Sequence, residues 1–324
     1  MTDKIQKPIF IVGCPRSGTT ILARILDNHS LIAAGSETHF FNLLSKNKKH
    51  DWQNFDSDSI DNFFKQVRVE DFCSLLKVSL EEFKEQFSQT ALDSSLSKTQ
   101  ANKKRVFDTM MLLLINKKQK ILCCEKTPQH FNNIEEILEL YPDAKIIHLL
   151  RDGRDTVNSL IKMPWRPEGL LTNSRYWKRY ARKSINIIDK YNKQEKNFHC
   201  LRYEDLLQTP QESLSKLCTF LEIEFEEAML SKSKDQTGIF SAWESSWKHK
   251  AMEELDSTRI GTWNKELDDK EKKLINWHLK DQLIALGYAV GDEAYGARDG
   301  LEIISQYTNL AVKKLARTIT NIIS

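Results

Sequence analysis

The sequence predicts an α/β fold: a parallel sheet of the phosphate-loop type, flanked by helices and carrying a helical insertion. Three observations predict it. Short β-branched and apolar runs alternate with stretches of helical periodicity, the pattern of βαβ crossovers. The first run opens into a glycine-bounded loop and then a helix, the setting of a phosphate-binding loop. Between the second and third runs lies a long polar stretch with helical apolar spacing and no Pro/Gly-rich linker on either side.

The elements follow in order. Ile9–Val12, between Pro8 and Gly13, reads as a buried strand. After the loop Gly13–Ser17, Ile21, Leu22, Ile25 and Leu26 recur at helical spacing as far as Asn28. Leu31–Ala34 is the second strand. Residues from about 46 to 120 are polar, with Leu80, Phe83 and Phe87 at helical spacing, and form the insertion. Ile121–Cys124, Lys145–Leu150 and Asn197–Leu201 are later strands. The intervening helices cover about Phe131–Tyr141, Asp155–Ile161 with Ser174–Tyr191, and Gln211–Leu221 closes the series. Residues 1–290 are expected to form one domain. Residues 291–324 are expected to be an extension, whose Ile304, Leu310, Leu315 and Ile319 mark an amphipathic helix docked on its own fold, with a membrane-surface or partner-binding helix as the alternative.

Composition narrows the class without naming a reaction. Of 324 residues, 40% are hydrophobic and 29% charged, so disorder and a membrane-spanning architecture are both disfavoured. The longest apolar run, Met110–Ile115, is far short of the roughly 20 residues of a spanning helix. Lys+Arg 48 against Asp+Glu 45 leaves +3, too little for a nucleic-acid surface but compatible with one local anion site. Only seven residues precede Pro8, no room for a signal peptide, so a cytoplasmic protein is expected. The six cysteines (Cys14, Cys73, Cys123, Cys124, Cys200, Cys218) form no CxxC pair and read as reduced thiols.

The sharpest motif is Gly13-Cys14-Pro15-Arg16-Ser17-Gly18-Thr19-Thr20. Its G-x4-G spacing suits a loop whose backbone N–H groups surround an anion at a helix N-terminus. ATP- and GTP-binding loops place Lys after the second Gly to reach the β- and γ-phosphates. Here that position is Thr19, and the cation is Arg16, inside the loop. Pro15-Arg16-Ser17-Gly18-Thr19-Thr20 resembles the 5′-phosphosulfate loop of sulfotransferases that use 3′-phosphoadenosine 5′-phosphosulfate (PAPS). The arginine variant is similar to tyrosylprotein sulfotransferases and their bacterial relatives.

The resemblance extends along residues 8 to 290. Arg151, at the end of a strand, and Ser159, eight residues on, look like the family's pair for the donor's 3′-phosphate. Tyr203, in Leu201-Arg202-Tyr203-Glu204, is similar to a tyrosine that contacts the nucleotide, and Ser245–Trp263 to a segment that closes over it. Glu37, in Gly35-Ser36-Glu37-Thr38, takes the place of the relatives' catalytic glutamate, with His39 and His29 as rival bases. Lys126, in Cys124-Glu125-Lys126-Thr127-Pro128, resembles the lysine that neutralises the transferring group, a task shared with Arg16. Met163-Pro164-Trp165-Arg166-Pro167 is a candidate acceptor lid. Glu37, Lys126, Arg16 and Arg151 all fall after strands, the edge at which open parallel sheets bind ligands.

The resemblance implies a sulfuryl transfer from PAPS to a hydroxyl or amine, without metal. Donor contacts would come from Arg16, Ser17, Gly18, Thr19, Thr20, Arg151, Ser159 and Tyr203. The acceptor, whether small molecule, lipid, glycan or peptide, is not legible, and a homodimer is compatible with the reading. A phosphate-loop kinase and a non-catalytic nucleotide-binding protein are the alternatives. Thr19 speaks against the first, and Glu37 with Lys126 against the second.

Overall fold

The structure, a computed structural model, describes residues 4–46, 51–166, 169–191, 196–232 and 253–291. Strands β1 (Ile9–Gly13), β2 (Ile32–Ala34), β3 (Leu122–Lys126), β4 (Lys145–Leu150) and β5 (Phe198–Arg202) form one sheet. Their order is β2-β3-β1-β4-β5, and every pairing is parallel. The chain moves from β1 to one side and later to the other, so strand order reverses about β1. Such a reversal opens a crevice at the carboxyl ends of the strands. All five residues of β1 are buried, which explains a continuous apolar run rather than an alternating one.

The chain divides into two compact units, the first residues 1–151 with 183–260 and the second 152–182 with 261–324. The sheet belongs to the first. One face is covered by α1 (Thr19–Asp27), α10 (Tyr203–Gln208) and α11 (Pro210–Leu221), whose Leu22, Leu206 and Leu217 pack with Ile9, Ile11, Leu149 and Leu201. On the other face Phe107 of α6 (Lys98–Lys118) stacks on Phe10 with ring centroids 5.6 Å apart, beside Phe41 of α2 (Phe40–Lys46). There His148 of β4 stacks on Phe131 and accepts or donates a hydrogen bond with Ser184 Oγ. Burial pushes its imidazole down to about 3, so it is neutral at physiological pH.

The expected insertion is helical where described, with α3 (Ser57–Phe64), α4 (Val67–Leu75), α5 (Leu80–Gln89) and α6. Its last helix, α6, is the crossover between parallel strands β2 and β3. Helix α7 (Ile134–Leu140) is shorter than expected, because Pro128–Asn132 forms a 3-10 turn ahead of it. β3 also runs further than expected, to Lys126, while Ile121 stays outside the sheet and exposed.

In the second unit, α8 (Gly153–Leu160) is capped by Asp152, which accepts from Arg154 N–H and binds the Arg154 guanidinium. The buried Asp155 carboxylate accepts from Gly261 N, Trp263 N and Thr262 Oγ1, fixing that segment on α8. Lys178 of α9 (Leu170–Tyr191) donates to the His278 carbonyl of α12 (Asp269–Ala285). Residues 301–324, the expected amphipathic helix, lie outside the described residues, as do 245–252 and Pro167. No helix among the described residues is long and apolar enough to cross a membrane.

Candidate functional site

β1 ends at Gly13 and α1 begins after Gly18, so the loop between them sits at the carboxyl edge of the sheet. Two glycines make its path possible. A Cβ on Gly13 would come within 2.6 Å of the Leu149 carbonyl oxygen of the neighbouring strand. Gly18 has φ 101°, and a Cβ there would lie 2.4 Å from the Tyr203 ring. Arg16 is itself left-handed, at φ 76°, a turn of backbone that gathers successive N–H groups into an anion-binding concavity.

The first intrahelical bond of α1 runs from Leu22 N to Gly18 O, and no side chain caps the helix. The N–H groups of Thr19, Thr20 and Ile21 therefore face the loop without helical acceptors. The Ser17 hydroxyl is buried and has no hydrogen-bond partner. A buried orphan hydroxyl beside open N–H groups and a cation is what a phosphate or sulfate would satisfy. Gly18→Ala should cost about 1–3 kcal/mol, because the new methyl group must displace Tyr203. Urea unfolding measures this, and an unchanged midpoint would mean that Tyr203 yields freely.

Burial lowers the Arg16 guanidinium to about 10, helped by the charge of Arg151 and opposed by Glu37 and Tyr203. It remains a cation at neutral pH. Arg151, which follows β4, lies 4.4 Å over the Tyr203 ring and donates from Nη1 to the Arg16 carbonyl and from Nη2 to that of Arg259. Lys126, the last residue of β3, is fully buried, with Nζ 2.9 Å from Glu37 Oε1. His39 Nε2 lies 3.2 Å from Glu37 Oε2. The structure thus brings Arg16, Glu37, Lys126, Arg151 and Tyr203 together, around Ser17, Gly18, Thr19 and Thr20. Ser159 lies half-buried on α8 of the second unit.

His29, the other expected rival base, is elsewhere. Its Nδ1 accepts from Leu31 N and its Nε2 meets the Glu224 carbonyl, so both ring nitrogens serve the loop ahead of β2. Trp165 of the expected lid is exposed, and Arg166 bonds Asn173 and covers Tyr176.

A further set of residues was not anticipated. Glu125, buried on β3, accepts five hydrogen bonds: from Thr38 N and Oγ1, Thr127 N and Oγ1, and His130 Nδ1. Burial pushes its carboxyl up, but its interaction with His130 and the hydrogen bonds from Thr127 and Thr38 hold it below the usual range. The same groups satisfy the start of α2. His39 N donates to Thr127 Oγ1, Phe40 N to Thr38 Oγ1, and Phe41 N to His130 Nε2. The segment carrying Glu37 is therefore bolted to the end of β3. The only sequence signal was a carboxylate beside Lys126, flanked by Thr127 and His130.

Among the described residues no group of three or more His, Cys, Asp and Glu could hold a metal ion. Comparison with known proteins gives a consistent family. The model of the sulfotransferase family matches residues 8–227. A protein-tyrosine sulfotransferase of Drosophila melanogaster is 25% identical over 225 residues, covering 68% of this chain but 39% of its own length. A putative protein-tyrosine sulfotransferase of Caenorhabditis briggsae is 24% identical over 240 residues, 71% of this chain and 70% of that protein. The sulfotransferase domain from the curacin biosynthetic pathway superposes with a TM-score of 0.62 at 19% identity, covering 89% of this chain and all of that one. That of the Synechococcus PCC 7002 olefin synthase gives 0.60 at 18%, with 89% and 98% covered. At these identities the solved structures establish the fold.

Proposed function

The chain belongs to the sulfotransferase family, and on that premise we propose that it moves a sulfuryl group from PAPS to a hydroxyl or amine acceptor. The observation that carries the reading is the Lys126–Glu37 pair, 2.9 Å apart, beside an arginine-bearing phosphate loop with an orphan buried hydroxyl. A pure nucleotide binder has no use for a carboxylate in a pocket of cations. A kinase would need a lysine where Thr19 stands.

Bound, the donor supplies a sulfuryl group attached to a phosphate leaving group. The residues of the chain divide the remaining work. Ser17, Gly18, Thr19 and Thr20 offer N–H and hydroxyl donors to the phosphosulfate, and Arg151 on Tyr203 offers a planar fork for the 3′-phosphate. Glu37 takes the proton of the acceptor. Arg16 and Lys126 stabilise the negative charge that grows on the bridging oxygen as its bond to sulfur breaks. Lys126 has a second task, since its ammonium, 2.9 Å from Glu37 Oε1, holds that carboxylate at the site.

Transfer of labelled sulfate from PAPS to a panel of phenols, alcohols, amines, glycans and tyrosine peptides tests the reading. No transfer to any class, with magnesium-dependent ATP binding in its place, would overturn it. Arg151→Ala should weaken 3′,5′-adenosine bisphosphate by about 10- to 100-fold, the range for a charge-assisted pair, and adenosine 5′-monophosphate far less. Calorimetric titration of both nucleotides checks this, and equal losses would remove Arg151 from the 3′-phosphate role.

A further inference from the structure

Five non-glycine residues among those described have a left-handed backbone: Arg16, His39, Lys77, Gln119 and Glu222. Three of them close helices. Beyond α4, α6 and α11 the following N–H turns back to the helix, from Val78 to Cys73 O, Lys120 to Ile115 O and Ile223 to Cys218 O, the usual αL ending. Arg16 and His39 close no helix, and both lie at the site. His39 instead opens α2, its carbonyl accepting from Leu43 N–H. Residues at that position ordinarily take an extended φ, whereas His39 has φ 52°.

The strain is imposed by neighbours. Thr127 Oγ1 holds the His39 N–H at 3.1 Å, and Glu125 fixes Thr38 on one side of it and Thr127 on the other. The outcome is an imidazole turned back onto the carboxylate two residues earlier, with Nε2 3.2 Å from Glu37 Oε2. Backbone strain of this kind, enforced by a fully satisfied buried network, is characteristic of functional positions.

We propose that His39 is a positioning residue for Glu37: its imidazole stands against Oε2, with Nε2 3.2 Å away, while Lys126 holds Oε1, restricting the carboxylate's rotation. This rests on reading Glu37 as the base. A carboxylate with Lys126 at one oxygen and an imidazole against the other has less freedom to pivot than one without the imidazole. In the step itself the acceptor's proton passes to a Glu37 oxygen and the acceptor's oxygen or nitrogen bonds to sulfur. The electron pair of the broken S–O bond stays on the phosphate oxygen. His39 exchanges no atom; it holds the receiving carboxylate still.

Two variants separate this from a purely structural role. His39→Gly removes the ring and relieves the strain, because glycine adopts a positive φ freely, so the fold is preserved. His39→Gln keeps an N–H donor. A first measurement needs no acceptor: nitrogen-15 histidine spectra of the full chain, with His39 Nε2 identified by its loss in His39→Gly. That signal should move in Glu37→Gln while those of the other histidines stay, and an unmoved signal overturns the contact.

The second measurement is turnover of PAPS with 4-nitrophenol as acceptor probe. His39→Gly should lower kcat by about 10- to 100-fold with little change in KM for PAPS, and His39→Gln should recover most of it. In a Glu37→Ala background His39→Gly should add no further loss. An equal loss in both backgrounds, or none in either, overturns the positioning role. Full turnover by Glu37→Ala alone would instead remove the base assignment.

Discussion

Glu37→Ala is expected to cut turnover by about 10²- to 10⁴-fold, the contribution of a positioned general base, while leaving the bisphosphate product bound at least as tightly. The second half follows from charge. Glu37 is the carboxylate that faces Lys126 and the Arg16 guanidinium, so its removal leaves the anion pocket more positive. Alanine also removes the carboxylate 2.9 Å from the buried Lys126 ammonium, which by itself destabilises the site. Glu37→Gln separates the effects, since the amide fills the same space and offers Lys126 a carbonyl oxygen but no longer accepts a proton. Both variants should lose turnover alike, with glutamine the better folded. Initial rates against PAPS, with calorimetry of 3′,5′-adenosine bisphosphate, measure this. Unimpaired turnover in Glu37→Gln would take the base role from this residue.

Glu125→Ala should destabilise the fold by about 3–5 kcal/mol, the range for removing one partner of a buried charged network. The five donors that converge on Glu125 are left without an acceptor inside the protein. The effect is pH-dependent with a definite sign. A carboxyl held low in the folded chain contributes stability above its unfolded value, near pH 4.3, and loses it as pH falls toward the folded value. Wild type should therefore lose stability more steeply than Glu125→Gln below about pH 4.3. Urea midpoints across pH 3 to 7 decide the matter. A Glu125→Ala midpoint close to wild type, or identical acid slopes for wild type and Glu125→Gln, would show that the network is not worth what its geometry implies.

Much of the site could be read from sequence because backbone-driven features leave compact signatures. The glycines of Gly13–Gly18, the missing lysine at Thr19 and the arginine after β4 are each visible within a few residues. Strand β4 matches its expected bounds at both ends for the same reason, an apolar run flanked by polar turns. The Glu125 network was not readable. Its members come from two separate segments, and buried threonines with a histidine look the same in sequence as a solvated turn. Helix α6, inside the expected helical insertion, shows no clean apolar stripe for a different reason. It buries Lys104 and Asp108 as an ion pair 2.6 Å apart, with Asp108 also bonded to Tyr141, so core positions carry charge and the apolar stripe is broken. The second unit joins residues 152–182 to 261–291 across the sheet segments, and no local pattern announces such a union.

The two carbonyl contacts of Arg151 have an evolutionary corollary. One end of each bond is a side chain and the other is main chain, at Arg16 and Arg259. Every amino acid carries a carbonyl, so positions 16 and 259 can drift without breaking these links, whereas position 151 cannot. The connection is invisible to covariation between side chains, because only one partner has an identity to vary. It should persist in relatives whose loop residues have diverged beyond alignment, so long as an arginine follows the fourth strand.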